Sequence, residues 1–258
     1  MVHLPTIDDA GYGYDIFGAN ADWVRFAEHA GAFLYERWFR VDSQGHEHIP
    51  STGAAVIVAN HGGTLPYDAA MLWMDVLRHT QPARLLRPIA DHFVLRLPFF
   101  GTFATRTGAV GGTRPNVRHL LERGELLLVF PEGVAGVAKN FGRRYELAEW
   151  RVGHAEFAIR HRVPVIPAAI VGAEEQMPQL AKLHVHPFGI PHVPLALSPL
   201  PLPVRYHIRY GAPLRLYEEF PLGSADEPEV LDAAAVRTKT AVQNLLESGR
   251  RARKGVFA

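Results

Sequence analysis

The stretch Ala54-Ala55-Val56-Ile57-Val58-Ala59-Asn60-His61-Gly62-Gly63-Thr64-Leu65-Pro66-Tyr67-Asp68 decides how this chain is read. The apolar run Ala54 to Ala59 reads as a short buried β-strand. A helical pattern begins near Asp68. A histidine therefore stands where a strand ends and the chain turns. In open α/β sheets that carboxyl edge is where ligands bind. Gly62-Gly63 and Pro66 permit a tight loop, so Asp68 can reach back to orient the His61 imidazole. The alternative is an ordinary strand-to-helix loop carrying a solvated histidine.

Further along the chain, the same alternation recurs. Before the motif, Trp23, Phe26, Ala27, Ala30, Phe33, Leu34 and Trp38 recur at helical spacing. They predict an amphipathic helix from Asp22 to Phe39, with Asp22 as N-cap. After the motif, helices are expected at Asp68–Leu77, Asn116–Arg123, His154–His161 and Leu231–Leu246. Strands are expected at Arg84–Ile89, Glu125–Phe130, Val163–Val171 and Val204–Tyr210. Phe93 to Phe103 is apolar but broken by Pro98 and Gly101, which makes it a short helix and a turn. Pro164 and Pro167 place the Val163–Val171 strand at a sheet edge or a strand end. Glu174 and Glu175, just beyond it, read as surface or capping groups. Strands alternating with helices predict a single α/β domain with a mostly parallel sheet flanked by helices. An N-terminal arm and amphipathic helix, residues 1–39, precede the α/β domain, residues 40–258. A second charged group, in Pro131-Glu132-Gly133, directly follows the strand core Leu126 to Phe130. Glu132 is thus expected on the same edge as His61, with Arg114 close by.

Composition narrows the chemistry. The chain has 258 residues, 48% of them hydrophobic, and no cysteine. Disulfides, thiolate metal sites and a cysteine nucleophile are excluded. Residues Met1 to Asp15 lack the pattern of a signal peptide. No uninterrupted apolar run is long enough to span a bilayer. The longest uncharged stretch, Leu183 to Val204, holds six prolines and does not span as a helix. The net charge of +1 conceals an asymmetry, since residues 84–162 carry thirteen bases against seven acids. Nearly all of these bases are arginine, whose fork suits phosphate and carboxylate oxygens. His46-Glu47-His48 reads as loop surface. His184-x-His186 has no nearby acid to complete a metal-ligand set, so no metal is expected. No nucleic-acid motif accompanies the arginines, so no nucleic-acid partner is expected either.

Four blocks in order carry a resemblance: Asn60-His61…Asp68, Gly108…Arg114, Phe130-Pro131-Glu132-Gly133 and Val163-Pro164-Val165-Ile166-Pro167. Together they resemble the glycerolipid acyltransferase family of the lysophosphatidic acid acyltransferase type, over roughly residues 40–215. In one respect the chain departs from that pattern. The family places four residues between its histidine and its acid. Here six separate His61 from Asp68, and Pro66 occupies the expected acid position. The Gly-Gly-Thr-Leu-Pro-Tyr-Asp form is similar to relatives of the diacylglycerol acyltransferase branch. The third block runs on into Val134-Ala135 where the family often has Thr-Arg, and Lys139, Arg143 and Arg144 are candidates for the missing charge.

The resemblance implies transfer of a fatty acyl group from a thioester, acyl-CoA or acyl carrier protein, to a hydroxyl of a glycerolipid or lysophospholipid. No cofactor is implied beyond that co-substrate. His61 would be the general base and Asp68 its orienting carboxylate. Arg114 would bind an acceptor phosphate, and Glu132 with Gly133 the acceptor glycerol. Gly62 and Gly63 would let backbone N–H groups approach the thioester oxygen. The competing readings are a neutral-glyceride acyltransferase, a thioester hydrolase, and a non-catalytic lipid- or CoA-binding protein on the same fold. A lipid substrate without a spanning segment implies a peripheral protein on the cytoplasmic face of a membrane. Trp23–Phe39, Phe93–Phe103, Leu183–Val204 and the basic tail Arg250 to Lys254 are the candidate contacts.

Overall fold

The computed structural model describes residues 4–63, 65–183, 185 and 193–258. Thr64 of the opening motif, the His184-x-His186 pair and the part of the proline-rich stretch at 186–192 lie outside the described residues. The strands are β1 (Asp42–Gln44), β2 (Ala55–Ala59), β3 (Leu86–Ala90), β4 (Val110–Gly111), β5 (Leu126–Val129), β6 (Val165–Val171), β7 (Gln179–Leu183), β8 (Val193–Ala196) and β9 (His207–Tyr210). The helices are α1 (Ala21–Phe33), α2 (Tyr67–His79), α3 (His92–Arg96), α4 (Phe100–Arg106), α5 (Arg114–Glu122), α6 (Val134–Val137), α7 (Gly153–His161), α8 (Leu216–Glu219) and α9 (Pro228–Ala252).

Seven strands form one sheet in the order β1-β9-β6-β2-β5-β3-β4, and β7 pairs with β8 outside it. Every neighbouring pair in the large sheet is parallel except β6 with β9. The fold is the expected single α/β domain with helices on both faces. Ala55-Val56-Ile57-Val58-Ala59 is buried along its whole length, as a strand covered on both faces must be. Its side chains divide between two cores. Ala55, Ile57 and Ala59 join Met71, Leu72 and Val76 of α2. Val56 and Val58 face Ala155, Ala158 and Ile159 of α7 and Ala234 and Val242 of α9.

Two local expectations change. The N-cap of α1 is Asn20, whose side-chain oxygen accepts the N–H groups of Asp22 and Trp23 at 3.0 Å each. Asp22 sits two residues too late for that task and lies in the first turn instead. The proline-bearing strand β6 is central rather than an edge, with all seven residues buried. Pro164 precedes the strand and gives its carbonyl to Val56 N–H. Pro167 is tolerated because of where its missing N–H would point. Ile170 N–H faces the β2 side, where it donates to Asn60 Oδ1, so residues of Pro167 parity face β9. There the residue opposite is Gly211, whose N–H donates to Pro167 C=O at 2.8 Å and whose lack of a β-carbon leaves room for the ring, since one would stand 3.0 Å from Pro167 Cγ.

The N-terminal arm is tied to the sheet. Asp15 accepts the Phe17 and Ala19 N–H groups and pairs with buried Arg87 of β3 at 2.7 Å. Val24, Tyr35 and Phe39 belong to the same core cluster as β2 and α2.

Candidate active site

Because β2 lies between β5 and β6 and runs parallel to both, three loops leave the sheet side by side. They carry His61, Glu132 and Glu174. Asn60 fixes the first loop. Its amide donates to Ile170 C=O at 3.0 Å and accepts Ile170 N–H at 2.7 Å. This side chain extends the β2–β6 ladder by one step and sets where the chain turns.

The two extra residues between His61 and Asp68 are absorbed by a bulge before α2, where Tyr67 N–H returns to Leu65 C=O. Asp68 falls in the first helical turn, where the helix dipole favours a carboxylate. His61 Nδ1 lies 2.6 Å from Asp68 Oδ2, within hydrogen-bond range. The same oxygen accepts Gly62 N–H at 2.9 Å, and Oδ1 accepts Ala69 N–H at 2.7 Å. Asp68 is completely buried, while the His61 side chain keeps 17% of its surface exposed. The imidazole stacks on Phe130 at 4.1 Å and 14°. With Nδ1 given to Asp68, Nε2 is the ring nitrogen left for a substrate.

The glycines are required by contact as well as by conformation. A β-carbon on Gly62 would stand 2.3 Å from Glu174 Cγ. Gly63 has φ +92°, and a β-carbon there would meet Ala173 C=O at 2.6 Å. Gly62 N–H is engaged by Asp68, so of these two amides only that of Gly63 is without a partner among the described residues. Gly133 adopts φ 51°, ψ −139° before α6. Gly136 of α6 lies directly against His61, since a β-carbon there would approach His61 Cβ and Glu132 Cβ to 2.9 Å each.

Glu132 is in the cluster, but its carboxylate faces the protein. Oε1 accepts His61 N–H at 2.9 Å, and Oε2 accepts Ala148 N–H at 2.7 Å and faces Lys139 Nζ at 3.2 Å. Its side chain has no exposed surface. Both oxygens are therefore engaged away from any acceptor. Arg114 stands elsewhere. It opens α5 after β4, three strand spacings from β2, on the order of 14 Å. Its fork closes on Glu156 of α7, Nε to Oε1 at 3.1 Å and Nη2 to Oε2 at 3.0 Å.

Sequence reasoning missed three contributors. Glu174, expected at the surface, is buried against Gly62 and accepts Tyr145 N–H at 2.6 Å and Lys139 Nζ at 2.7 Å. Burial raises its carboxyl pKa above the ordinary value, even beside the Lys139 ammonium. Glu175, likewise buried, accepts both arms of Arg253. Arg151 lies beside Gly133, with its N–H on Pro131 C=O, and faces Asp91 at 4.0 Å. No motif marks it, because it reaches the turn through the fold rather than through spacing. The other candidate cations are engaged: Arg143 with Glu146 at 2.7 Å and Arg144 near Glu175 at 3.7 Å. Among the described residues, no group of three or more His, Asp or Glu side chains is placed to hold a metal ion.

The sequence model of the Acyltransferase family matches residues 40–171, just over half of the chain. The chain belongs to the Acyltransferase family. An uncharacterized protein of Mycobacterium tuberculosis is 36% identical to this acyltransferase-family chain over 236 residues, 87% of this chain and 66% of that protein. An uncharacterized Mycobacterium leprae protein is 34% identical over 263 residues, 98% of this chain and 70% of that one. The human protein named DGAT1/2-independent enzyme synthesizing storage lipids is 29% identical over 222 residues, covering 83% of this chain and 63% of that enzyme. The acyltransferase-family chain thus spans about two thirds of these relatives' length. Its fold is similar to the crystal structure of the 1-acyl-sn-glycerophosphate (LPA) acyltransferase PlsC from Thermotoga maritima. The TM-score is 0.56 at 18% identity, covering 91% of this chain and 80% of the other.

Proposed function

We propose that this protein is an O-acyltransferase that moves a fatty acyl group from a thioester, acyl-CoA or acyl carrier protein, to a hydroxyl of a neutral glyceride. The observation that carries the chemistry is the 2.6 Å contact between His61 Nδ1 and Asp68 Oδ2, with Gly62 N–H on the same oxygen. That carboxylate holds the proton on Nδ1, so Nε2 is basic and aimed at substrate. As the acceptor oxygen attacks the thioester carbonyl carbon, its proton passes to Nε2. Asp68 stabilises the imidazolium. Collapse of the tetrahedral intermediate breaks the C–S bond, and the leaving thiolate takes the proton back. Gly63 N–H is the amide left to meet the carbonyl oxygen.

Charge supports a neutral acceptor over a phosphate-bearing one. Arg114, the expected phosphate clamp, is paired in both arms with Glu156, and Lys139 is enclosed by two carboxylates. An anionic headgroup at His61 would approach Asp68, Glu132 and Glu174, with Lys139 already shared between two of these carboxylates and Arg151 at the Gly133 turn facing Asp91. The relatives named for synthesizing storage lipids point the same way. The test is mass spectrometry of products after incubating pure protein with acyl-CoA and a panel of monoacylglycerol, diacylglycerol, lysophosphatidate and water alone. The expected product is an acylated neutral glyceride, and Arg114→Ala leaves the KM for that acceptor within about twofold. Acylation of lysophosphatidate alone, with a KM raised by Arg114→Ala, would restore the phosphate role. Free fatty acid as sole product would make the protein a thioester hydrolase.

We further propose that the carboxyl edge works at a lipid surface. No helix of the described residues is long and apolar enough to cross a membrane. Two groups of aromatic side chains, one joining α1 to α4 and one at the end of α1, offer the apolar contact. Phe103 of α4 packs on Trp23 of α1, Trp23 on Phe26, and Phe33 on Trp38, whose indole N–H reaches Pro201 C=O. Phe99, 91% exposed, projects beside them before α4. The basic tail contributes less than its charge suggests, since Arg253 is bound to Glu175, Arg251 pairs with Glu247 and Arg250 lies over the Tyr145 ring. Adhesion should therefore be mainly apolar and persist at high salt. The protein is expected to sediment with liposomes at both 0.1 and about 1 M salt, and Phe99→Asp with Phe26→Asp to remain in the supernatant. Release by salt alone would assign the contact to the arginines.

A further inference from the structure

His61 and Asp68 account for the proton transfer and leave three buried charges beside them without a role. Glu132 and Glu174 come from the loops after β5 and β6, on either side of β2, and Lys139 follows α6. The three ammonium protons of Lys139 have three acceptors: Glu174 Oε1 at 2.7 Å, Glu146 C=O at 3.0 Å and Glu132 Oε2 at 3.2 Å. No donor remains for a substrate, and the side chain is 9% exposed. Two neighbouring buried carboxylates cannot both stay ionised without a cation between them. The ammonium is what keeps both in place. What they hold is the histidine loop. Glu132 Oε1 accepts His61 N–H at 2.9 Å, and the Glu174 stem occupies the space a Gly62 β-carbon would need. One bond fixes the His61 backbone, and one contact fixes the turn whose amide holds Asp68.

We infer that Lys139 is a positioning residue for acyl transfer, clamping the two carboxylates that set the His61 backbone and the Gly62 turn. The inference rests on His61 being the base. A purely structural lysine would affect melting alone, whereas a clamp affects turnover and its pH dependence. In Lys139→Met one carboxylate takes up a proton. Raising the pH ionises both again, and their repulsion displaces the loop.

The experiment compares full-length wild type, Lys139→Met and the double variant Lys139→Met with Glu174→Gln, which removes the repulsion. Three readouts are taken: kcat and KM across pH 6 to 9, melting, and the downfield Nδ1–H proton resonance of His61 by NMR, assigned by its loss in His61→Ala. In Lys139→Met, kcat is expected to fall about tenfold to a hundredfold at the alkaline end, the scale of a small misplacement of a catalytic group. KM stays within about twofold, and the His61 resonance broadens over the same pH range. The double variant lacks the alkaline fall. The clamp is overturned if Lys139→Met melts lower but keeps the wild-type kcat profile and resonance. Where that variant does not fold, the clamp is overturned if the double variant does no better. If wild type acylates nothing, the assignment of His61 as base fails, and the resonance alone still decides whether Lys139 positions the ring.

Discussion

His61→Ala is expected to lower acyl transfer by roughly a hundredfold or more, the usual scale for losing a positioned general base, and to leave the protein folded. The reason for expecting a clean loss lies in how the residue is held. Its backbone N–H is fixed by Glu132 and its neighbour Gly62 by Asp68, and neither bond uses the imidazole. Truncation at Cβ removes the stack on Phe130 and one of three hydrogen bonds to Asp68. The buried carboxylate retains the Gly62 and Ala69 N–H groups. Turnover measured by product mass spectrometry, with circular dichroism as a control for folding, checks both halves. Near-wild-type turnover in this variant would remove the mechanism.

Asp68→Asn is expected to cost a comparable factor in turnover and, unlike the first variant, to lower stability by about 1–3 kcal/mol. Both carboxylate oxygens accept a backbone N–H, Oδ1 from Ala69 and Oδ2 from Gly62. An amide NH2 in either orientation therefore faces a donor and leaves it unpaired. With NH2 toward the ring, the imidazole must offer an acceptor at Nδ1, which moves its proton to Nε2 and abolishes the base. With NH2 toward Ala69, the tautomer survives but the charge that stabilises the imidazolium is gone. Chemical denaturation and kcat on the same preparation separate the two effects. A variant that loses stability while keeping turnover would leave Asp68 as a purely structural carboxylate.

Much of this architecture follows from local pattern. Apolar runs of four to six residues separated by helical stripes specify a parallel α/β sheet, because only a strand covered on both faces tolerates Ala55 to Ala59 without a polar side. That same rule places His61 and Glu132 on one edge of the sheet, at the carboxyl ends of their strands, while the topology makes those strands neighbours. The pattern of β6 misleads, since Pro164 and Pro167 have the signature of an edge. Whether a proline fits depends on what the neighbouring chain offers at that height, and β9 runs on there into Gly211, which has no side chain to meet the ring.

The sequence by itself determined the sheet, the edge that carries the site, and the loop that brings an acid back toward its histidine. These are properties of neighbouring residues and of periodicity, which spacing records. Only the tertiary structure decided the partners of the charges. Arg114 and Glu156 are 42 positions apart, Lys139 and Glu174 are 35 apart, and His61 and Glu132 are 71 apart. A charged side chain looks the same in sequence whether it faces substrate or a buried counter-ion. The difference is made by desolvation and by which opposite charge the fold brings within about 3 Å. That is why the arginine expected at the acceptor closes on a glutamate, and why a lysine expected to supply the third block's missing charge and a glutamate expected at the surface pair with each other beside the histidine loop.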